Sequence, residues 1–114
     1  MAKKNRKGTP KLKRNEFQRK RGTPQLLAIH CSSCGKRVAT YQKDGLGSLK
    51  RMYLDRIFAP KDLALLQSSA RKASDYGPLL CPDCKAQLGS PSVYEPEKRL
   101  AFALIPGKVQ TKKQ

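Results

Sequence analysis

The residues with the clearest chemistry are four cysteines, which are all the cysteines in the chain. They stand in two Cys-x-x-Cys pairs, Cys31 with Cys34 and Cys81 with Cys84, with 46 residues between the pairs. A tight turn across such a pair brings two thiolates to one side of the chain, and Gly35 lets the backbone curl over a metal ion. Two pairs supply four thiolates. The pattern predicts one structural Zn2+ site with no coordination position left open for catalysis.

Disulfides, a redox pair and an iron–sulfur cluster are the other uses that four cysteines allow. Disulfides are typical of secreted chains, and residues 1–24 contain no apolar stretch of the kind a secretory signal needs. A thioredoxin-like redox pair requires only one Cys-x-x-Cys, and the ferredoxin spacings are not present. His30, beside Cys31, is an alternative ligand. Zinc held by the four cysteines is favoured over these alternatives, which the sequence alone leaves open.

Short apolar strands should position the cysteines. Residues 26–29 lead into Cys31, and Leu79 and Leu80 lead into Cys81. Between the pairs, β-branched and aromatic residues on both sides of loop glycines predict an inserted β-hairpin over residues 37–54.

A helix over residues 60–74 should follow, because Pro60 suits a first helical turn and Asp62 favours the positive end of the helix dipole. A last apolar strand over residues 99–105 ends at Pro106. These elements predict a small α+β domain over residues 25–107, in which a zinc ribbon with two Cys-x-x-Cys knuckles carries the inserted hairpin and one helix.

Positive charge dominates the composition, with 25 Lys and Arg against 8 Asp and Glu and a net charge of +17. Residues 1–24 hold ten basic side chains and one acid, and their composition predicts a disordered basic tail. Deleting residues 1–24 is therefore expected to leave the fold intact. Residues 108–114 are expected to form a short basic extension. Such a charge favours a polyanionic partner, above all RNA.

The candidate nucleic-acid contacts are basic residues of the tail, the first knuckle and the hairpin. Tyr41 and Tyr53 are placed on the same hairpin, where they either stack on unpaired bases or cover the small core. The basic candidates are Lys3, Lys4, Arg6, Lys7, Lys11, Lys13, Arg14, Arg19, Lys20, Arg21, Lys36, Arg37, Lys50 and Arg51.

Several functional classes find no support in the sequence. No stretch of about 18 apolar residues suggests a membrane span, so a membrane partner is not expected. No nucleophile elbow, phosphate-cradling motif or His-plus-carboxylate set indicates an enzyme, and neither catalytic residues nor a small-molecule substrate are predicted. An intracellular location is expected, with a mitochondrial presequence as the alternative interpretation of the N-terminus.

Residues 29–35 and 80–85 resemble the knuckles of zinc-ribbon proteins, and with the basic N-terminus the chain is similar to the small zinc-binding ribosomal proteins. The resemblance implies a structural role, in which the ribbon docks on ribosomal RNA beside neighbouring ribosomal proteins while the tail neutralises phosphates. It implies a cytoplasmic ribosome, or an organellar one. The alternatives are a zinc-ribbon module of a transcription or other DNA-binding complex, and a protein-interaction adaptor that uses the helix over residues 63–73.

Overall fold

Two four-stranded antiparallel sheets form the body of the protein in a computed structural model that describes residues 12–13, 15–45 and 47–113. The first sheet has the strand order β4-β2-β1-β8 and the second has the order β3-β7-β6-β5. The strands are β1 (Pro24–Cys31), β2 (Arg37–Asp44), β3 (Arg51–Tyr53), β4 (Ile57–Ala59), β5 (Leu79–Leu80), β6 (Gln87–Tyr94), β7 (Arg99–Leu104) and β8 (Val109–Lys113). The helices are α1 (Glu16–Arg21), α2 (Lys61–Ala64) and α3 (Leu66–Ser69), with 3-10 turns at Leu54–Arg56, Ala73–Asp75 and Glu95–Glu97.

Each cysteine pair lies in the loop of an antiparallel hairpin. Strands β1 and β2 flank the first pair, and β5 and β6 flank the second pair. One hairpin belongs to each sheet, so a metal ion held by all four cysteines would join the two sheets. The structure confirms a small protein of antiparallel sheets and helix with its cysteines clustered.

One apolar core joins both sheets. Ile29 and Ile57 come from the first sheet, and Met52, Leu88 and Phe102 come from the second. All five side chains are at most 1% exposed. Their burial stabilises the fold through the removal of apolar surface from water.

The predicted hairpin over residues 37–54 is wrong, although both of its strands exist. Strand β2 pairs with β1 and β4, whereas β3 pairs with β7 in the other sheet, where Met52 lies opposite Phe102. The connecting residues therefore cross between sheets instead of turning back. A local pattern of alternating residues identifies a strand but does not identify its partner, and burial of Met52 at the centre of the core decides the pairing.

The predicted helix over residues 60–74 is also shorter than expected, because it stops at Ser69 and is divided at Leu65 into α2 and α3. Ala70 leaves the helix in an extended conformation and is buried in the core. The Asp75 carboxylate then accepts the backbone N–H groups of Arg71 and Lys72. That side-chain bonding competes with continuation of the helix.

The expectation of a disordered tail over residues 1–24 is wrong where the structure describes this segment. Helix α1 begins after Asn15, whose Oδ1 accepts the N–H groups of Phe17 and Gln18 at 3.1 and 3.2 Å. Glu16 lies in its first turn and basic residues fill its last turn, as the helix dipole favours. An Asn before an acidic residue is a helix-start signal that the basic composition concealed. Residues 1–11 and Arg14 lie outside the described residues.

Helix α1 is held against the body by charged and ring contacts. The Arg21 guanidinium lies 2.9 Å from the Glu97 carboxylate, and the Arg99 guanidinium stacks over the Phe17 ring at 4.2 Å. The backbone N–H of Lys13 donates to Gln42 at 2.6 Å. Deletion of residues 1–24 would remove these contacts, so we now expect it to destabilise the fold.

The C-terminal residues form a strand rather than an extension. Strand β8 pairs along β1, with Ile29 opposite Thr111 and Cys31 opposite Val109. Residues 89–92, although they include a glycine and a proline, are part of the continuous strand β6. The folded unit thus reaches beyond the predicted 25–107 boundaries at both ends. Within the described residues, no helix is long and apolar enough to cross a membrane.

Candidate metal centre

The first knuckle is a tight turn with two backbone hydrogen bonds. The N–H of Cys31 donates to Lys36 O at 2.9 Å, and the N–H of Gly35 donates to Cys31 O at 2.8 Å. Gly35 adopts a φ of +80°, in the left-handed region that favours glycine. This turn places the Cys31 and Cys34 sulfurs on one side of the chain.

The second knuckle repeats this geometry with a different sequence. The N–H of Cys81 donates to Ala86 O at 2.9 Å, and the N–H of Lys85 donates to Cys81 O at 3.0 Å. Lys85 occupies the position of Gly35 and has a φ of +67°. A left-handed conformation costs a non-glycine residue about 1–2 kcal/mol. The surrounding structure therefore imposes this turn against the local preference of lysine.

The four sulfurs come together across the two knuckles and lie within 4.8 Å of one another. The Cys31 and Cys84 sulfurs are 3.7 Å apart, and those of Cys34 and Cys81 are 3.5 Å apart. Tetrahedral thiolates at about 2.3 Å from a metal are separated by about 3.8 Å. All four cysteines are free thiols. This donor set fits a single metal ion, and the prediction that these four residues meet at one site is confirmed.

The cysteines differ in acidity within each knuckle. The N–H of Cys34 lowers the pKa of Cys31, and the N–H of Cys84 lowers the pKa of Cys81 to about 6. For Cys34 the N–H of Lys36 lowers the pKa, but burial and hydrogen bonds with the other three thiols raise it to about 12. A backbone N–H lowers the pKa of every one of the four thiols, but the hydrogen bonds among the thiols favour the thiolate at the first cysteine of each pair over the second. A metal ion would have to displace the remaining protons.

His30 is not one of the clustered donors. Its Nδ1 lies 3.1 Å from the Gly35 carbonyl oxygen, which accepts a hydrogen bond from the ring. The cluster within the described residues consists of the four cysteines. His30 therefore supports the backbone of the first knuckle.

Exposed cations follow the second cysteine of each pair along the chain. The two first cysteines are buried, whereas Cys34 and Cys84 are exposed. The exposed residues that follow them are Lys36, Arg37 and Lys85. The predicted contacts Lys36 and Arg37 thus lie beside the metal centre.

The other predicted nucleic-acid contacts have varied surroundings. Arg19 and Lys20 are exposed on α1, and Lys50 is exposed before β3. Arg51 lies 4.4 Å above the Tyr94 ring. Lys13 bonds internally, because its Nζ donates to the Asp55 carbonyl and to Gln67. Arg21 is paired with Glu97, and the predicted contacts Lys3, Lys4, Arg6, Lys7, Lys11 and Arg14 lie outside the described residues.

Neither Tyr41 nor Tyr53 is available for base stacking. They are 2% and 8% exposed, and the Tyr41 hydroxyl accepts the backbone N–H of Tyr53 at 2.9 Å. Burial raises the pKa of Tyr41. The Arg99 guanidinium covers the Tyr53 ring at 3.8 Å. Of the two alternatives, the core role is correct.

A buried ionic network is the main feature that sequence reasoning missed. Arg56 Nε lies 3.0 Å from Asp44 Oδ2, and these side chains are 1% and 4% exposed. Arg99 contacts the carboxylates of Asp55 and Glu97 at 2.8 and 2.9 Å. Basic residues in a chain of this charge are expected at the surface, so composition offered no signal for their burial.

Comparisons with protein-family models, with curated proteins and with solved structures find no match for this chain.

Proposed function

We propose that this chain is a zinc-ribbon protein that binds structured RNA, as a ribosomal protein or a ribosome-associated factor. The observation that carries the proposal is the net charge of +17 on a small chain that also brings four cysteine thiols together. Polyanions are the natural partners of so basic a protein.

Zinc is the metal that the donor set favours. Soft thiolates in a tetrahedral arrangement select Zn2+ or an iron–sulfur cluster, and a single closed site of two knuckles suits Zn2+. Cys31, Cys34, Cys81 and Cys84 would hold the ion. The ion would supply folding energy, because it joins the hairpins of the two sheets.

RNA contact would use cations at the metal end and in the N-terminal segment. Lys36, Arg37 and Lys85 are exposed residues that follow the exposed cysteines in the chain, and Arg19 and Lys20 are exposed on α1. Contacts of this kind position a protein on phosphates without reading sequence. Ribosomal RNA, neighbouring ribosomal proteins and a cytoplasmic or organellar ribosome follow from the resemblance to small zinc-binding ribosomal proteins.

The test is binding of the zinc-loaded chain to a fluorescent RNA stem-loop, measured by anisotropy over a range of salt concentrations. A truncation of residues 1–11 removes five basic residues while it retains the contacts of Lys13 and α1. Each lost phosphate contact should reduce the salt slope by about 0.7–0.9. We expect a reduction of up to about 4 and a weaker affinity at low salt.

A full-length variant with the five basic residues changed to glutamine is the matched control for chain length, and it should behave as the truncation does. An unchanged salt slope in both variants would contradict the role of these residues. If unlabelled duplex DNA displaces the labelled stem-loop as effectively as unlabelled structured RNA does, the DNA-binding alternative is favoured instead. Binding to neither would remove the nucleic-acid proposal.

A further inference from the structure

A basic pocket of about 180 Å3 opens where the end of α1 meets the end of β2 and the start of β3. One water molecule needs roughly 10–15 Å3 of such space, so the pocket has room for a larger group. Five of its lining residues are cations and one is an acid, Asp44. The cations are Arg21, Lys43, Lys50, Arg51 and Arg56.

Two of these guanidinium groups are held by hydrogen bonds, and each has one nitrogen without a hydrogen-bond partner among the described residues. Arg56 is 1% exposed; its Nε contacts Asp44 at 3.0 Å and its Nη2 donates to Asn15 at 2.6 Å. Arg21 Nη2 donates to Glu97 and to the Tyr53 hydroxyl at 2.9 and 3.1 Å. The Nη1 atoms of both arginines are buried and have no hydrogen-bond partner among the described residues.

Those unpartnered nitrogens are costly for the protein alone. The Asp55 carboxylate lies 4.0 Å from Arg56 Nη1, which is beyond hydrogen-bond distance. A buried donor without an acceptor carries the full cost of its lost hydration. Both guanidinium groups belong to the lining of the pocket, where their positive charge would attract an anion.

The remaining cations also favour an anion. Burial lowers the pKa of Lys43. The Asp44 carboxylate raises this pKa, and the Arg21 guanidinium lowers it. Arg51 is held over the Tyr94 ring at 4.4 Å, and Lys50 is exposed at the rim beside Ser48. Asp44 is the only acid in the lining, and Glu97, outside it, pairs with Arg21, so the five cations still leave an excess of positive charge that favours an anion.

We propose that this pocket binds a phosphoryl group, which Lys50 and Arg51 contact at the rim and the guanidinium groups of Arg21 and Arg56 attract from within. A phosphoryl group combines up to two negative charges with several acceptor oxygens, and arginine matches its geometry. The group belongs either to an RNA chain, in which case the inference rests on the proposed function, or to a free phosphate or nucleotide. The chemistry of recognition is the same.

Amide chemical shifts of the zinc-loaded full chain, recorded in phosphate-free buffer at constant ionic strength, test the proposal. The probes are inorganic phosphate, uridine 5′-monophosphate, the dinucleotide UpU and uridine, which has no phosphate. We expect saturable shifts in residues 41–44 and 48–53 with at least one phosphate-bearing probe and none with uridine. Tighter binding of UpU would indicate an RNA diester, and tighter binding of the other two would indicate a free monoester.

The variant Lys50→Gln/Arg51→Gln should weaken this binding at least about tenfold, because it removes two charge-assisted contacts. The matched control Arg71→Gln/Lys72→Gln removes the same charge from exposed residues after α3 and should change the affinity less than about twofold. If loss of the Arg51 contact with Tyr94 unfolds the first variant, Lys50→Gln/Ser48→Ala replaces it. Equal effects of the pocket and control variants would overturn the proposal.

The absence of saturable shifts with every phosphate-bearing probe would also overturn it. If the chain does not bind RNA but its pocket residues still shift with a phosphate-bearing probe, only the proposed function is contradicted. RNA binding without any shift at the pocket residues would contradict the pocket alone, so the two failures are distinguishable.

Discussion

Replacing Cys34 with serine should unfold the domain under conditions in which the native chain is folded. Structural zinc contributes roughly 10–16 kcal/mol of apparent binding energy in small zinc domains, whereas a whole domain is stable by about 5–15 kcal/mol. Cys34 is one of four cysteines whose sulfurs lie within 4.8 Å of one another at hairpins of separate sheets, which a shared metal ion would connect. Loss of one ligand therefore removes more stability than the rest of the fold can replace. Thermal unfolding followed by circular dichroism measures the effect.

Ser33→Ala is the matched control for this substitution. Ser33 is an exposed residue of the same knuckle and is not a metal ligand. Its replacement should leave the unfolding transition in place, and chelation of zinc from the native chain should reproduce the loss seen with the Cys34 variant. A cooperative transition of the Cys34→Ser protein near the native temperature would contradict the structural role of the metal.

Replacing Asp44 with asparagine should destabilise the protein by about 3–5 kcal/mol, as expected when one partner of a buried ion pair is removed. Arg56 is 1% exposed and its Nε contacts Asp44 at 3.0 Å. The asparagine keeps the volume of the side chain but not its charge, so the buried guanidinium keeps only the Asp55 carboxylate, at 4.0 Å, to offset its charge. Urea unfolding measures the effect as a lower midpoint with an unchanged slope.

Asp62→Asn provides the control, because Asp62 is an exposed acid in the first turn of α2. Its effect should remain within about 0.5 kcal/mol. A double variant Asp44→Asn/Arg56→Met should recover part of the lost stability, since it removes the uncompensated charge as well. Equal stability of the Asp44→Asn and Asp62→Asn proteins would show that the pair contributes little.

The clustering of the four cysteines was predictable because its signal is local. Cys-x-x-Cys dictates a turn whatever surrounds it, and both knuckles adopt the same backbone hydrogen bonds around Cys31 and Cys81. The same holds for β7, where the apolar residues after Arg99 read as a strand in isolation. Local patterns thus identified the ligands and several individual strands.

Strand pairing was not predictable from local pattern, because it depends on residues far apart in the chain. Met52 pairs with Phe102 rather than with a residue of β2, and Thr111 pairs with Ile29 although the C-terminus is polar and basic. The polar segment 109–113 is held at a sheet edge by its pairing with β1, which composition does not reveal. Tertiary context overrides strand propensity in such cases.

Net charge misled the interpretation of the N-terminal segment. Ten basic residues in residues 1–24 are typical of a disordered tail, yet Arg21 is paired with Glu97 and Asn15 caps α1. Average composition does not distinguish a solvated cation from one that meets a buried carboxylate. The phosphoryl pocket depends on the same placement, since Arg21 and Arg56 line it only after the sheets assemble.

Sedimentation of a cell lysate through a gradient tests the central claim most directly, with this protein and zinc followed in every fraction at low and moderate salt. The proposed function predicts that protein and zinc migrate together with one ribosomal subunit at both salt concentrations, and that ribonuclease releases them. Migration as free protein, or with polymerase and insensitive to ribonuclease, would contradict it.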